Sequence, residues 1–258
     1  MSRRGRHATS VRLSSAPAPP DGIDYYGPAS VGAETIGALA TAPEVVAAAT
    51  DEARGTDPDA YVEYVARFTA DGRRRAGARW RYADIVTVLA AATELLRPLS
   101  YLEIGVRRGR SMSVVARRAP LCALLGIDLW SAGYAGMDNP GPEHVREQIA
   151  HTGHTGDLEL LSGDSHRVLP RLFRERPELD FDLVTVDGDH SKGGATQDLG
   201  DVLPRLRIGG AVVFDDISHP HHPELHEVWR TAVKANRRYA TWEFDDVGYG
   251  VAVAVRRW

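Results

Sequence analysis

Tyr101-Leu102-Glu103-Ile104-Gly105-Val106-Arg107-Arg108-Gly109-Arg110-Ser111 decides the fold. A short apolar run carries an acid near its end, two glycines four apart follow, and the arginine-rich segment beyond them reads as the start of a helix. Glycines at a strand-to-helix turn let the backbone bend tightly and approach a ligand closely, as the entry turn of a helix-wound parallel sheet requires. The spacing is not G-x-G-x-x-G, so the turn alone specifies no ligand.

Outward from this turn, short apolar runs near 100–104, 122–128, 158–162, 181–187 and 210–216 alternate with helical stretches. That alternation predicts an α/β fold, a Rossmann-like doubly wound, mostly parallel sheet. Two further runs, near 238–245 and 249–256, joined by the turn Asp246 to Gly248, predict a C-terminal antiparallel hairpin that brings the sheet to seven strands. Before the sheet, apolar residues recur at helical spacing from Pro43 to Ala66 and from Tyr82 to Leu96. The expected organisation is a flexible arm over 1–30, an N-terminal helical region over 31–97 and the sheet domain over 98–258. The turn-rich connection 131–143 has the length of an active-site lid or a linker.

With 31 basic and 35 acidic residues and a net charge of −4, the chain has no general pull toward nucleic acid or an anionic membrane, and a small-molecule partner is expected. Arg3, Arg4 and Arg6 belong to a solvated tail in this reading rather than to a phosphate site. The single cysteine, Cys122, lies in an apolar stretch and reads as core filling. No run is long enough to span a bilayer and no hydrophobic segment follows the basic start, so a cytoplasmic location is expected.

The chemistry concentrates at strand ends. Asp187-Gly188-Asp189-His190 follows the fourth run, and Asp215-Asp216 closes the fifth. Neighbouring strands lie about 4.8 Å apart, so carboxylates at their carboxyl ends can converge on one divalent cation. A lone aspartate at a strand end is commonly a helix cap, but Asp187, Asp215 and Asp216 in register are a candidate set of hard oxygen ligands for Mg²⁺ or a similar cation. His190 is the first candidate for a general base beside them, because imidazole titrates near neutral pH, and Asp189 is the second. Asp128 closes the second strand where doubly wound nucleotide sites hold ribose hydroxyls. Gly163-Asp164-Ser165 after the third strand either reaches an adenine edge or caps a helix through Asp164 or Ser165. Trp130, two residues beyond Asp128, either stacks on adenine or packs in the core or lid, and Tyr134 and Trp229 either shape the site or pack in the core or lid. Trp242 and Phe244 read as core. His219, His221, His222 and His226, interrupted by prolines and lacking a nearby cysteine, are read as a pocket-lining or solvated loop rather than a zinc site. His151, His154 and His166 are read as surface residues.

Glu103, Gly105 and Gly109, then Asp128, then Gly163 and Asp164, then Asp187 resemble the ordered motifs of class I S-adenosylmethionine-dependent methyltransferases, over roughly residues 95–256. The resemblance implies a cofactor site of Glu103, Gly105, Gly109, Ser111, Asp128, Trp130, Gly163, Asp164, Ser165 and Asp187. Within it, Glu103 meets the methionine or ribose end, Asp128 the ribose and Asp164 the adenine. Asp187-Gly188-Asp189-His190 and Gly209 to Asp216 further resemble the metal-dependent O-methyltransferases of natural-product sugars, of the macrocin and rhamnosyl types. That resemblance implies Mg²⁺ on Asp187, Asp215 and Asp216, a sugar hydroxyl as acceptor, and a homo-oligomer whose contacts include the arm. The Ala-, Arg- and Gly-rich composition is similar to that of high-GC actinomycete enzymes of antibiotic biosynthesis, and a TDP-rhamnose O-methyltransferase of an enediyne pathway is the most specific type it suggests. Three other readings stand beside it: a catechol-like small-phenol O-methyltransferase, a nucleotide-binding Rossmann protein that transfers no methyl group, against which the missing G-x-G-x-x-G argues, and a non-catalytic scaffold of the same fold, against which the intact acidic set and Glu103 argue.

Overall fold

A computed structural model describes residues 29–133 and 138–258. The expected arm, with Arg3, Arg4 and Arg6, falls almost wholly outside the described residues, as does Tyr134 of the expected lid.

Seven strands form one sheet: β1 (Ser100–Ile104), β2 (Ala123–Asp128), β3 (Leu158–Ser162), β4 (Phe181–Val186), β5 (Leu206–Asp215), β6 (Tyr239–Phe244) and β7 (Val251–Arg256), in the order β3-β2-β1-β4-β5-β7-β6. β1 to β5 pair in parallel, and β7 runs antiparallel to both β5 and β6. The expected fold class and closing hairpin are thus observed. The chain winds outward from β1 through β2 to β3, then returns to the other side of β1 as β4. The strand order therefore reverses between β1 and β4, and in such sheets the crevice beyond that reversal is where ligands bind.

Helices cover both faces. On one lie α1 (Ala33–Ala40), α4 (Ile85–Leu96), α5 (Arg110–Arg118) and α6 (Pro142–His151), on the other α7 (Ser165–Glu175), α8 (Lys192–Val202) and α9 (Glu224–Trp229). Strand alternation sorts the core between them. Tyr101, Leu183, Val213 and Val253 enter the first layer, while Leu102, Val184, Val212 and Ala254 enter the second. Cys122 is buried in the first layer and burial pushes its thiol up to about 12, as expected of a core residue. Trp229 is fully buried and stacks on Phe214, so it belongs to the core. Trp242 stacks near Phe244 and lies against Gly37 of α1, where a Cβ would collide with the indole.

Three boundaries differ from the sequence-based expectation. The segment 43–66 is not one helix but α2 (Pro43–Thr56) and the start of α3 (Ala60–Ala76). Pro58 disfavours helical geometry at Asp57, and Asp59 restarts the helix by accepting a hydrogen bond from the Val62 amide at 2.9 Å. The helix over Ala33–Ala40 lies before the first periodic stretch. β5 begins four residues earlier than 210, because a bulge shifts its register against β4 between Phe181 and Leu183, and Gly209 takes φ 81° inside the strand.

Candidate active site

Gly105 sits at the strand-order reversal with φ 88°, and a Cβ on it would collide with the carbonyl oxygen of Asp187. The Gly105 amide donates to Ile127 O at 2.9 Å and the Asp187 amide to Ile104 O at 3.0 Å. One glycine therefore ties the ends of β1, β2 and β4 together. Gly109, φ 76°, opens α5, and a Cβ there would stand 2.8 Å from a Val145 methyl.

The donor half gathers around this turn. Glu103 is fully buried, accepts from Tyr101 Oη at 2.9 Å and from Ser111 Oγ, and is pushed up to about 8, first by burial. Both Asp128 oxygens accept amides, Oδ2 from Arg107 at 2.7 Å and Oδ1 from Trp130 at 2.5 Å, and those two residues adopt φ near 50°. Asp128 thus braces the glycine turn from the adjacent strand. Trp130 is half-buried against the first core layer and its indole N–H donates to Ser162 Oγ at 2.9 Å. Gly163, φ 140°, donates its amide to Asp128 O, and Asp164 caps α7 through the His166 amide at 3.0 Å. The capping alternative is therefore realised at Asp164, while Ser165 turns inward and donates to Asp198 Oδ1 at 2.7 Å.

The acidic half lies one strand over. Asp187, His190 and Asp216 bring ligand atoms within 4.8 Å of one another, a set able to hold a metal ion. His190 Nε2 lies 3.2 Å from Asp187 Oδ1 and 3.8 Å from Asp216 Oδ2. Its pKa is raised, first by the Asp187 hydrogen bond. Burial, then the charge of Asp187, pushes Asp216 up to about 7, and Asp216 holds a left-handed backbone, φ 62°, rare outside glycine. Asp215 stands outside that group of three, yet burial and the charges of Asp187, Asp216 and Asp84 hold its pKa well above the usual carboxylate range. Crowded carboxylates that suppress one another's ionisation are a donor set suited to a cation. Asp189 is exposed and accepts the Ser191 amide at 2.8 Å, part of the turn into α8.

The histidine loop closes one side. His222 packs edge-on against His190, ring centroids 4.9 Å apart, and His219 lies between His222 at 4.9 Å and Tyr249 at 4.5 Å. His219 and His222 are half-buried beside His190, whereas His221 is exposed. His154 and His166 are more engaged than surface residues would be: His154 Nε2 lies 2.7 Å from Cys122 O, and His166 Nε2 3.2 Å from Gly194 O.

The helices before β1 supply groups that sequence spacing did not reveal. Tyr82 Oη donates to Asp84 Oδ2 at 2.9 Å, and Asp84 caps α4 through the Thr87 amide at 2.8 Å. Tyr61 of α3 keeps 43% of its surface exposed, yet its hydroxyl pKa is raised, first by desolvation and then by the charges of Asp84, Asp215, Asp216 and Asp187, so it shares their field. Asp57, at the α2–α3 break, is nearly buried and binds Arg108 at 2.5 and 2.7 Å and Arg110 at 3.1 Å. The break thus docks the helical region onto the glycine turn. The Asp84–Thr87 capping box was the one legible signal among these.

These shifts fix a pH dependence. Glu103 and Asp216 bind protons more tightly folded than unfolded, so the stability they favour is fully present below their unfolded values near 4 and is lost as pH rises through about 7 to 8. His190, raised above 6.5, acts in the same direction. The metal-free protein is expected to unfold at lower temperature at pH 8 than at pH 5. A thermal scan in which unfolding temperature rises over that window would contradict the assignment.

Residues 102–217 match the family described as "Methyltransferase domain". No curated protein matches the chain. Among solved structures, a Klebsiella pneumoniae protein described as an O-methyltransferase is 20% identical, with 86% of this chain and 94% of that chain covered and a TM-score of 0.55. TomG, an O-methyltransferase of Streptomyces achromogenes involved in tomaymycin synthesis and solved with S-adenosylmethionine, is 20% identical, with 88% and 96% covered and a TM-score of 0.53. The TDP-rhamnose 3′-O-methyltransferase of calicheamicin biosynthesis is 21% identical, with 84% and 95% covered and a TM-score of 0.52. At this identity the likenesses establish the shared fold.

Proposed function

We propose that this chain, which carries a methyltransferase domain, is an S-adenosylmethionine-dependent O-methyltransferase that uses a divalent cation, Mg²⁺ or another hard ion, to methylate a sugar hydroxyl of a nucleotide sugar or glycoside. The observation that carries the reading is the convergence of Asp187, His190 and Asp216 within 4.8 Å, next to the Gly105 turn at the strand-order reversal. The fold shared with TomG and with the calicheamicin rhamnose methyltransferase supports it.

Glu103, Gly105, Gly109, Ser111, Asp128 and Gly163 to Ser165 line the donor side in this reading. Asp187 and Asp216, with Asp215 beside them, would hold the cation, whose chemistry is to acidify a coordinated hydroxyl and fix its orientation. Methyl transfer forms a C–O bond at the acceptor oxygen and breaks the S–C bond of the sulfonium, so the protein mainly aligns the two and excludes water. The departing hydroxyl proton goes to His190, whose basicity is raised chiefly by Asp187. Asp189 is the weaker candidate base, because its carboxylate is engaged by the Ser191 amide.

The test is a screen of nucleotide sugars, glycosides and catechols with labelled S-adenosylmethionine, with and without Mg²⁺, alongside calorimetry with S-adenosylhomocysteine and NAD. Label transfer to sugars that needs the cation supports the reading. Transfer to catechols alone reverses the acceptor assignment, and binding of NAD but not S-adenosylhomocysteine removes the methyltransferase. His190→Ala is expected to lower kcat by about 10²–10⁴-fold, the range of general-base catalysis, with little change in S-adenosylhomocysteine affinity. Asp189→Asn should leave kcat nearly intact. The reverse pattern in steady-state kinetics would move the base to Asp189.

A further inference from the structure

Asp198 lies on α8, outside the residues assigned above, and is completely buried. A carboxylate taken that far from water needs a function or a set of partners, because desolvation is costly. Its Oδ1 accepts Ser165 Oγ at 2.7 Å, the first residue of α7 and the neighbour of Asp164 on the donor side. His166 Nε2 stands 3.4 Å from the same oxygen. Its other oxygen, Oδ2, faces the acidic half. A Cβ built on Gly188 would stand 3.2 Å from Oδ2 and 2.7 Å from an Ile104 methyl, so the loop between Asp187 and Asp189 passes directly over the carboxylate. Burial raises the pKa of Asp198, against the Ser165 hydroxyl, His166 and the Asp189 backbone, which favour its charged form. Among the described residues no donor closes a hydrogen bond on Oδ2.

We propose that Asp198 is a positioning residue that sets the Asp187-Gly188-Asp189-His190 loop from below and couples its placement to the start of α7. The inference rests on the metal-assisted reading of Asp187, His190 and Asp216. Ser165 orients the carboxylate through Oδ1, and Oδ2 lies directly under the loop at Gly188. Gly188 is the residue that lets the loop come this near. Asp198 touches neither donor nor acceptor, and it acts only through the loop that carries Asp187 and His190. Partners of this kind behind metal ligands commonly change affinity by about 10–100-fold when removed.

Asp198→Asn is the informative substitution. Its amide oxygen still accepts from Ser165, while an NH₂ group replaces Oδ2 beneath Gly188 and the charge under the loop is lost. Two readouts are taken on the full chain. Hydrogen exchange of the segment 187–191, without metal or cofactor, is expected to speed up about tenfold in Asp198→Asn, with exchange in β1 and α5 unchanged. Mn²⁺ affinity, measured by electron paramagnetic resonance with Mn²⁺ alone, is expected to fall about 10–100-fold, while S-adenosylhomocysteine affinity stays within about twofold. Ser165→Ala, which removes only the orienting hydroxyl, should change both in the same direction by less. If Asp198→Ala fails to fold, these two variants still decide. Unchanged loop exchange in Asp198→Asn overturns the proposal whether or not Mn²⁺ binds. Loss of S-adenosylhomocysteine binding and of exchange protection throughout the chain also overturns it, in favour of a purely structural carboxylate. Failure of the wild-type protein to bind Mn²⁺ counts against the metal reading and leaves the exchange result to decide on Asp198.

Discussion

Asp187→Asn should reduce methyl transfer by about 10³-fold or more, since a metal ion on a reacting oxygen contributes several kcal/mol and each 1.36 kcal/mol is a decade in rate. The substitution keeps the side-chain shape at a position whose carbonyl already touches Gly105, so it tests charge rather than packing. Asp187 belongs to the three-residue group, holds His190 at 3.2 Å and raises the pKa values of Asp215 and Asp216. Losing its charge therefore weakens the donor set and removes the main support for the basicity of His190. Asp216→Asn should approach the same loss. Asp215→Asn should lose less, because Asp215 lies outside the group. None of the three should unfold the metal-free protein, since each removes a carboxylate from a repulsive cluster, and Asp187→Asn should raise its unfolding temperature at pH 8. The measurements are turnover with saturating S-adenosylmethionine and Mg²⁺, and a thermal scan. Wild-type turnover that survives exhaustive EDTA treatment would sink the metal role altogether.

The positions of most site residues were legible because a parallel sheet delivers them mechanically. An apolar run that stops at an acid fixes that acid at the carboxyl end of a strand, and this held for Glu103, Asp128, Asp187 and Asp215. What sequence spacing does not encode is rotation about the loop after the strand. His190 turns back toward Asp187 and Asp216 while Asp189 turns away to accept the Ser191 amide, so the three-membered group contains the histidine where a third aspartate was expected. The left-handed backbone of Asp216 is equally invisible in the residue string, since nothing in Asp215-Asp216 signals φ 62°. Tyr61, Tyr82 and Asp84 were missed for another reason. They come from helices that precede the sheet, and only tertiary packing aims them at the ends of β4 and β5. Asp57 read as one residue of a continuous helix, whereas Pro58 makes it the end of one and frees it to bind Arg108 and Arg110. Asp164 and Ser165, equal candidates for the cap by sequence, separate once Asp198 is found behind α7 to receive the serine.

Gly105→Ala should cost roughly 3 kcal/mol or more of stability and remove both halves of the site at once. Holding a non-glycine residue at positive φ costs about 1–3 kcal/mol, and overpacking adds typically 1–3 kcal/mol more. At Gly105 the obstacle is the carbonyl of Asp187, a backbone atom of a strand end that also donates its amide to Ile104 O. It cannot swing aside as a side chain would, so relief requires β1 and β4 to part just where the strand order reverses. Gly153→Ala is the matched control: Gly153 also holds a positive φ, 82°, but a Cβ there meets nothing within 4 Å. It should lose only the backbone cost, about 1–2 kcal/mol. The difference between the two, read from denaturant unfolding, isolates the collision with Asp187. Because the carbonyl that must move belongs to the residue bearing the central carboxylate, Gly105→Ala should weaken S-adenosylhomocysteine and Mn²⁺ binding together, whereas Gly153→Ala should leave both alone. Equal destabilisation by the two substitutions would mean that the strand ends yield more easily than close packing around the turn implies, and that the coupling of the donor and acidic halves does not run through Gly105.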